Sequence, residues 1–102
     1  MKECPLCAKQ GWGDKQINEM HLILECQAME GARGLVGLDR RVEWARGQQG
    51  GKRGQYAWFW GKEGKVSYSW MLEVCKRVMK LRDIYWEMVL EETAGWAAGQ
   101  GH

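Results

Sequence analysis

Cys4-Pro5-Leu6-Cys7 and, after a spacer, His21-Leu22-Ile23-Leu24-Glu25-Cys26 are the stretches that decide how this 102-residue chain is read. Together they spell C-x2-C-x13-H-x4-C. Three thiolates and one imidazole are the soft and borderline donors that close a tetrahedral shell around Zn²⁺. A shell filled by protein leaves no open position for water, so the pattern points to a structural zinc site with Cys4, Cys7, His21 and Cys26 as ligands.

Working outward, Pro5 pre-sets the φ angle of the turn that bends two sulfurs toward one ion. Residues 19–26 have helical character with Asn18 as N-cap, which puts His21 on the helix and Cys26 at its end. Five steps of about 100° separate two ligands by roughly 140° on a regular α-helix, so the last turn must change its winding near Cys26.

Other cysteine chemistries fit less well. A Cys-Pro-x-Cys redox pair follows a strand, and only three residues precede Cys4 here. Haem attachment needs His directly after the second Cys, where Ala8 stands. Disulfides need an oxidising compartment, and the opening Met1-Lys2-Glu3 carries no apolar signal segment, which suggests an intracellular protein of the nucleus or cytoplasm. Cys75 falls on an apolar helical stripe and reads as a small buried hydrophobe, and His102 as a frayed terminus.

The chain is near the size at which metals supplement packing, and structural zinc contributes about 10–16 kcal/mol. Removing the metal is therefore expected to unfold at least the first third. No run of about 18 apolar residues spans a membrane. Net charge is only +2, but residues 31–66 hold eight basic and three acidic side chains, while the flanking segments 1–30 and 67–102 are mildly acidic. A positive centre suits a polyanion, although a solvated loop has the same composition.

These shifts divide the chain into a zinc module (1–30), a basic Gly-rich segment (31–66), and a long amphipathic helix with a disordered tail (67–102). Residues 8–17 read as the loop joining the two halves of the metal site, with Trp12 as a ring over the sulfurs. Gly47–Gly54 reads as a flexible linker and the best internal boundary. Tyr56, Trp58 and Trp60 alternate, as do Val66, Tyr68 and Trp70, with Gly61–Gly64 as a turn between them. The pattern favours a β-hairpin over 55–70, with a short helix through 55–60 as the competitor. Ser69 is placed to cap a helix over about 69–92, in which Met71, Val74, Val78, Leu81, Tyr85 and Met88 form a stripe. The expected fold is thus a small, mostly α, zinc-stabilised domain.

The Cys-Pro-x-Cys pair and the run Ile17-Asn18-Glu19-Met20-His21-Leu22-Ile23-Leu24-Glu25-Cys26 resemble the zinc-binding CCHC segment at the C-terminal end of non-LTR retrotransposon reverse transcriptases. The likeness covers about the first quarter of the chain. The spacer containing Gly11-Trp12-Gly13 is longer than in that family, and Gln27 stands where proline is often found. The resemblance implies Cys4, Cys7, His21 and Cys26 as metal ligands and a tail without polymerase activity of its own.

Neither a paired-carboxylate site nor a serine triad can be assembled, and Asp14, Asp39 and Asp83 are scattered. The expected function is a non-enzymatic zinc module that binds RNA or DNA. Arg40, Arg41, Arg46, Lys52, Arg53 and Lys62 would neutralise phosphates, and Tyr56 or Trp58 would stack on unpaired bases. Two other readings are a protein-interaction module that pairs through the 69–92 helix, using a Met71/Val78/Tyr85 stripe, and a translated mobile-element remnant without function.

Overall fold

The structure, a computed structural model, describes residues 4–9, 18–62, 64 and 66–100, with backbone alone at 8–9 and 93–100. Its regular elements are all helical. Helix α1 (Pro5–Lys9) is followed by a π-turn (His21–Glu25), a 3₁₀ turn (Gln27–Met29), α2 (Glu30–Leu35), α3 (Asp39–Arg46), α4 (Gly51–Phe59) and the long α5 (Tyr68–Gln100). No helix among the described residues is long and apolar enough to cross a membrane.

One cluster of buried side chains draws on every element. Leu6, Ile23, Leu24, Met29, Leu38, Val42, Ala45 and Phe59 meet Val74, Val78, Leu81, Tyr85 and Val89 of α5. The stripe read from the sequence is therefore the core-facing side of α5. Val78 and Tyr85 are buried and Met71 is half-buried, so these three do not offer a docking surface.

The described residues of 55–70 form no β-hairpin. Residues 55–59 belong to α4, and α5 starts at Tyr68. The alternation of aromatics misled because this helix buries a wide arc rather than one narrow stripe. Phe59 enters the core, Tyr56 meets Trp60 edge-on one turn later at 6.4 Å, and Trp58 turns to Trp44 of α3 at 5.8 Å. Gly61 ends α4 at φ +92, where a Cβ would come within 2.7 Å of Val66 Cγ2. Ser67, not Ser69, caps α5: its Oγ accepts the Trp70 N–H at 3.1 Å.

Two other expectations change. The segment 47–54 is no linker, because Gly51–Gly54 form the first turn of α4, which packs directly on α3. The tail continues α5 to Gln100, since alanines in 94–98 propagate an already nucleated helix at little cost. Trp12 and His102 lie outside the described residues.

Gly37 fixes how α2 meets α3 and α5. At φ +78 it closes α2, with the Leu38 N–H donating back to the Arg33 carbonyl at 2.8 Å. Arg77 of α5 fills the space beside it and donates to the carbonyls of Val36 and Gly37 at 3.3 and 3.2 Å. Arg77 also pairs with Glu73 one turn earlier on α5.

Candidate metal centre

The winding problem at His21 is solved by a π-turn. Asn18 Oδ1 accepts the His21 N–H at 2.7 Å, starting the helical segment as an N-cap does. The Cys26 N–H then donates to the His21 carbonyl, five residues back, at 2.7 Å. This wider turn brings position 26 back over position 21, which a regular α-helix would not do. On the other side, Pro5 in the first turn of α1 holds Cys4 and Cys7 one helical turn apart.

The four side chains converge. Cys7 Sγ lies 3.8 Å from Cys26 Sγ and 3.5 Å from His21 Nε2, and Cys4 Sγ lies 3.9 Å from Cys26 Sγ. All four donor atoms fall within 4.8 Å of one another, and all four residues are buried. The sulfurs are far outside the roughly 2.05 Å of a disulfide, and the cysteines are free. The group could hold a metal ion.

Its surroundings favour a thiolate at Cys4 and oppose one at Cys7 and Cys26. Tyr85 Oη lies 3.0 Å from Cys4 Sγ, bridging 81 positions of sequence. Burial and the neighbouring thiols hold the phenol protonated far above its ordinary range, so it donates to the sulfur. Burial works against a Cys4 thiolate, but the Tyr85 hydroxyl and the N–H groups of Cys7 and Leu6 outweigh it, leaving Cys4 below the usual thiol value. Burial raises Cys7, and burial together with Cys4 and Cys7 pushes Cys26 up to about 12. Three such thiolates cannot share one buried volume without a cation among them. His21 presents Nε2 to the sulfurs while Nδ1 faces Glu25 Oε1 at 3.6 Å, longer than a hydrogen bond but on the side where metal-bound imidazoles carry an outer-shell carboxylate.

Arg33 supplies the remaining charge. It is 2 % exposed, and its Nη2 donates to the carbonyls of Cys26 and Leu22 at 2.8 and 3.1 Å. The Leu24 carbonyl receives Arg46 through Nε at 3.0 Å and through Nη2. Two arginines thus occupy carbonyls along the π-turn, and both would lose their acceptors if it rewound. Nε and Nη1 of Arg33 find no hydrogen-bond partner among the described residues. A divalent ion with three thiolates and a neutral imidazole carries one net negative charge, which a buried guanidinium beside Cys26 and Cys7 offsets.

The residues expected to contact nucleic acid fall into two groups. Arg41 and Arg46 are engaged within the fold. Arg41 donates to the carbonyls of Phe59 and Trp58 at 3.1 and 2.8 Å, capping α4, and its guanidinium lies over the rings of Trp44 and Trp70 at 4.2 and 4.6 Å. Lys52 is exposed, with Nζ 3.9 Å from Glu25 Oε2, which ties α4 to the metal-binding turn. Arg40 and Arg53 are exposed, while Tyr56 and Trp58 are half-buried. Lys62 Nζ lies 5.6 Å over the Trp58 ring, so Arg41, Trp44, Trp58 and Lys62 form a continuous basic and aromatic chain of contacts across α3 and α4.

Sequence reading missed Arg33, Tyr85 and Glu25 as partners of the centre. Only Glu25 left a local signal, four residues after His21. Comparison with protein-family models, with curated proteins and with solved structures finds no match to this chain.

Proposed function

We propose that the protein is a structural-zinc module that presents the basic, aromatic face of α3 and α4 to RNA or DNA. The observation that carries the zinc assignment is the donor spacing. Zn–S bonds of about 2.3 Å and a Zn–N bond of about 2.0–2.1 Å give tetrahedral edges of about 3.8 Å between sulfurs and about 3.6 Å between sulfur and nitrogen. Three of the six donor–donor separations here are 3.8 and 3.9 Å between sulfurs and 3.5 Å between sulfur and nitrogen, and all six lie within 4.8 Å. Four buried protein donors leave no position for water or substrate, so the metal's role is to hold the fold rather than to activate a nucleophile.

Nucleic acid as partner is supported by the charge of the middle segment, by exposed Arg40 on α3 and Arg53 on α4, and by exposed Lys62, whose Nζ lies over the Trp58 ring of the Trp44–Trp58 pair. Arg41 and Arg46, held on carbonyls, orient that face instead of reaching for phosphate. The resemblance to the zinc-binding tail of non-LTR retrotransposon reverse transcriptases supports the same partner class.

The test is titration of the zinc-loaded chain into labelled single-stranded and duplex oligonucleotides at several salt concentrations. Binding should weaken steeply with salt, and Arg40→Glu with Arg53→Glu should reduce it while zinc content stays at one per chain. Affinity that is absent, or indifferent to both salt and the double substitution, would remove the nucleic-acid assignment and leave the metal assignment standing.

A further inference from the structure

Helix α5 carries a second apolar stripe that the core does not use. Tyr68, Leu72, Met79, Trp86 and Leu90 are exposed, with Tyr68 79 % and Met79 60 % open to solvent. At about 100° per residue all five lie within about 20° of Met79, and the stripe runs about 33 Å along the helix. The core-facing residues Val74, Val78, Leu81, Tyr85 and Val89 lie to one side of it, with the exposed Arg82 between them and the stripe. To the other side, about 40° to 100° from Met79, lie the exposed Lys76, Lys80, Asp83 and Glu87.

The order of those charges identifies the occupant. The edge is basic first and acidic second along the chain. In a symmetric antiparallel helix pair each edge faces the same edge of the other copy, so Lys76 and Lys80 would approach Glu87 and Asp83 of a second molecule, while Met79 meets Trp86. A parallel pair would instead set this edge against the opposite edge of the second copy, where exposed Arg82 stands, so that Lys80 would approach a like charge and neither lysine would meet an acid. We propose that the protein self-associates as an antiparallel dimer through this face of α5. The inference is independent of the nucleic-acid assignment, because none of these residues belongs to the α3–α4 face.

Sedimentation velocity on the zinc-loaded full chain across a wide concentration range tests it. The account expects a reversible dimer that Leu72→Glu with Met79→Glu abolishes, with helical ellipticity and zinc content retained. Reversing one half of the edge, Lys76→Glu with Lys80→Glu, should weaken the dimer about tenfold, the scale of several surface pairs turned repulsive. Adding Asp83→Lys and Glu87→Lys should restore it. A chain monomeric at every concentration overturns the proposal. A dimer unaffected by the stripe substitutions places its interface elsewhere, and one indifferent to the half-reversal contradicts the antiparallel order.

Discussion

Among the described residues from Cys4 to Phe59, no helix exceeds nine residues, whereas α5 runs for 33. Isolated helices shorter than about 12–15 residues are marginal in water, so the first region cannot rely on its own secondary structure. It is joined instead by point contacts: four converging donors that could hold one ion, Arg33 and Arg46 on the carbonyls of the π-turn, and Arg41 on the end of α4. Helix α5 needs none of these to be helical, and it gives the short elements a wall to pack on. Tyr85 is where the two meet, since its ring lies in the core and its hydroxyl reaches Cys4. A metal held by the four donors would replace core that a chain of this size lacks the residues to build.

Breaking the metal should separate the two regions most sharply. Chelation, or Cys26→Ser, removes a contribution of about 10–16 kcal/mol, comparable to the whole stability of a small domain. Circular dichroism should show the short helices lost and part of the α5 signal kept. Loss of all helix together, or of none, would contradict the division. Acid should act in the same direction. The thiols must shed protons to bind, and Cys26 in the metal-free fold holds its proton up to about 12, so apparent metal affinity should rise with pH.

The next largest effect is expected at Arg33. Arg33→Met leaves carbonyls of the π-turn unpaired and the centre's negative charge unbalanced, a loss of about 3–5 kcal/mol by denaturant unfolding. Arg33→Lys keeps the charge but not the fork and should fall between the two. If Met is tolerated as well as Lys, the charge argument fails.

Tyr85→Phe sharpens the comparison at the joint. It retains the ring in the core and removes only the donor to Cys4 Sγ, so metal affinity should drop about 10–100-fold, as for other outer-shell partners. Competition with a chromophoric chelator measures it, and unchanged affinity would mean that the hydroxyl contributes nothing to the centre. Gly37→Ala should be smaller. A left-handed Ala costs about 1–2 kcal/mol, and its Cβ would displace the Arg77 guanidinium from the Val36 and Gly37 carbonyls. Thermal denaturation should show a modest fall in Tm at full metal occupancy.

How much of this the sequence disclosed depended on range. The ligand set was legible because cysteine and histidine spacing is constrained by the ion itself, and the mismatch of about 140° between His21 and Cys26 already demanded irregular winding. Tyr85 was legible only as a stripe residue, because nothing at position 85 indicates a sulfur at position 4. Arg33 reads locally as one charge among eight in a basic segment, and only the fold places it under the π-turn. The hairpin was misread because Tyr56, Trp58 and Trp60 satisfy a period of two, although Tyr56 and Trp60 meet each other one helical turn apart while Trp58 turns to Trp44. On α5 the core stripe was legible, but which apolar face would remain exposed depended on where the short elements docked.

The most direct test of the central claim is X-ray absorption at the zinc edge of the purified full-length chain, with metal content measured on the same sample. The account predicts one zinc per chain in a shell of three sulfurs at about 2.3 Å and one nitrogen at about 2.0–2.1 Å, with a sulfur lost in Cys26→Ser. A shell of oxygen and nitrogen alone, or a folded chain that takes up no zinc, would contradict it.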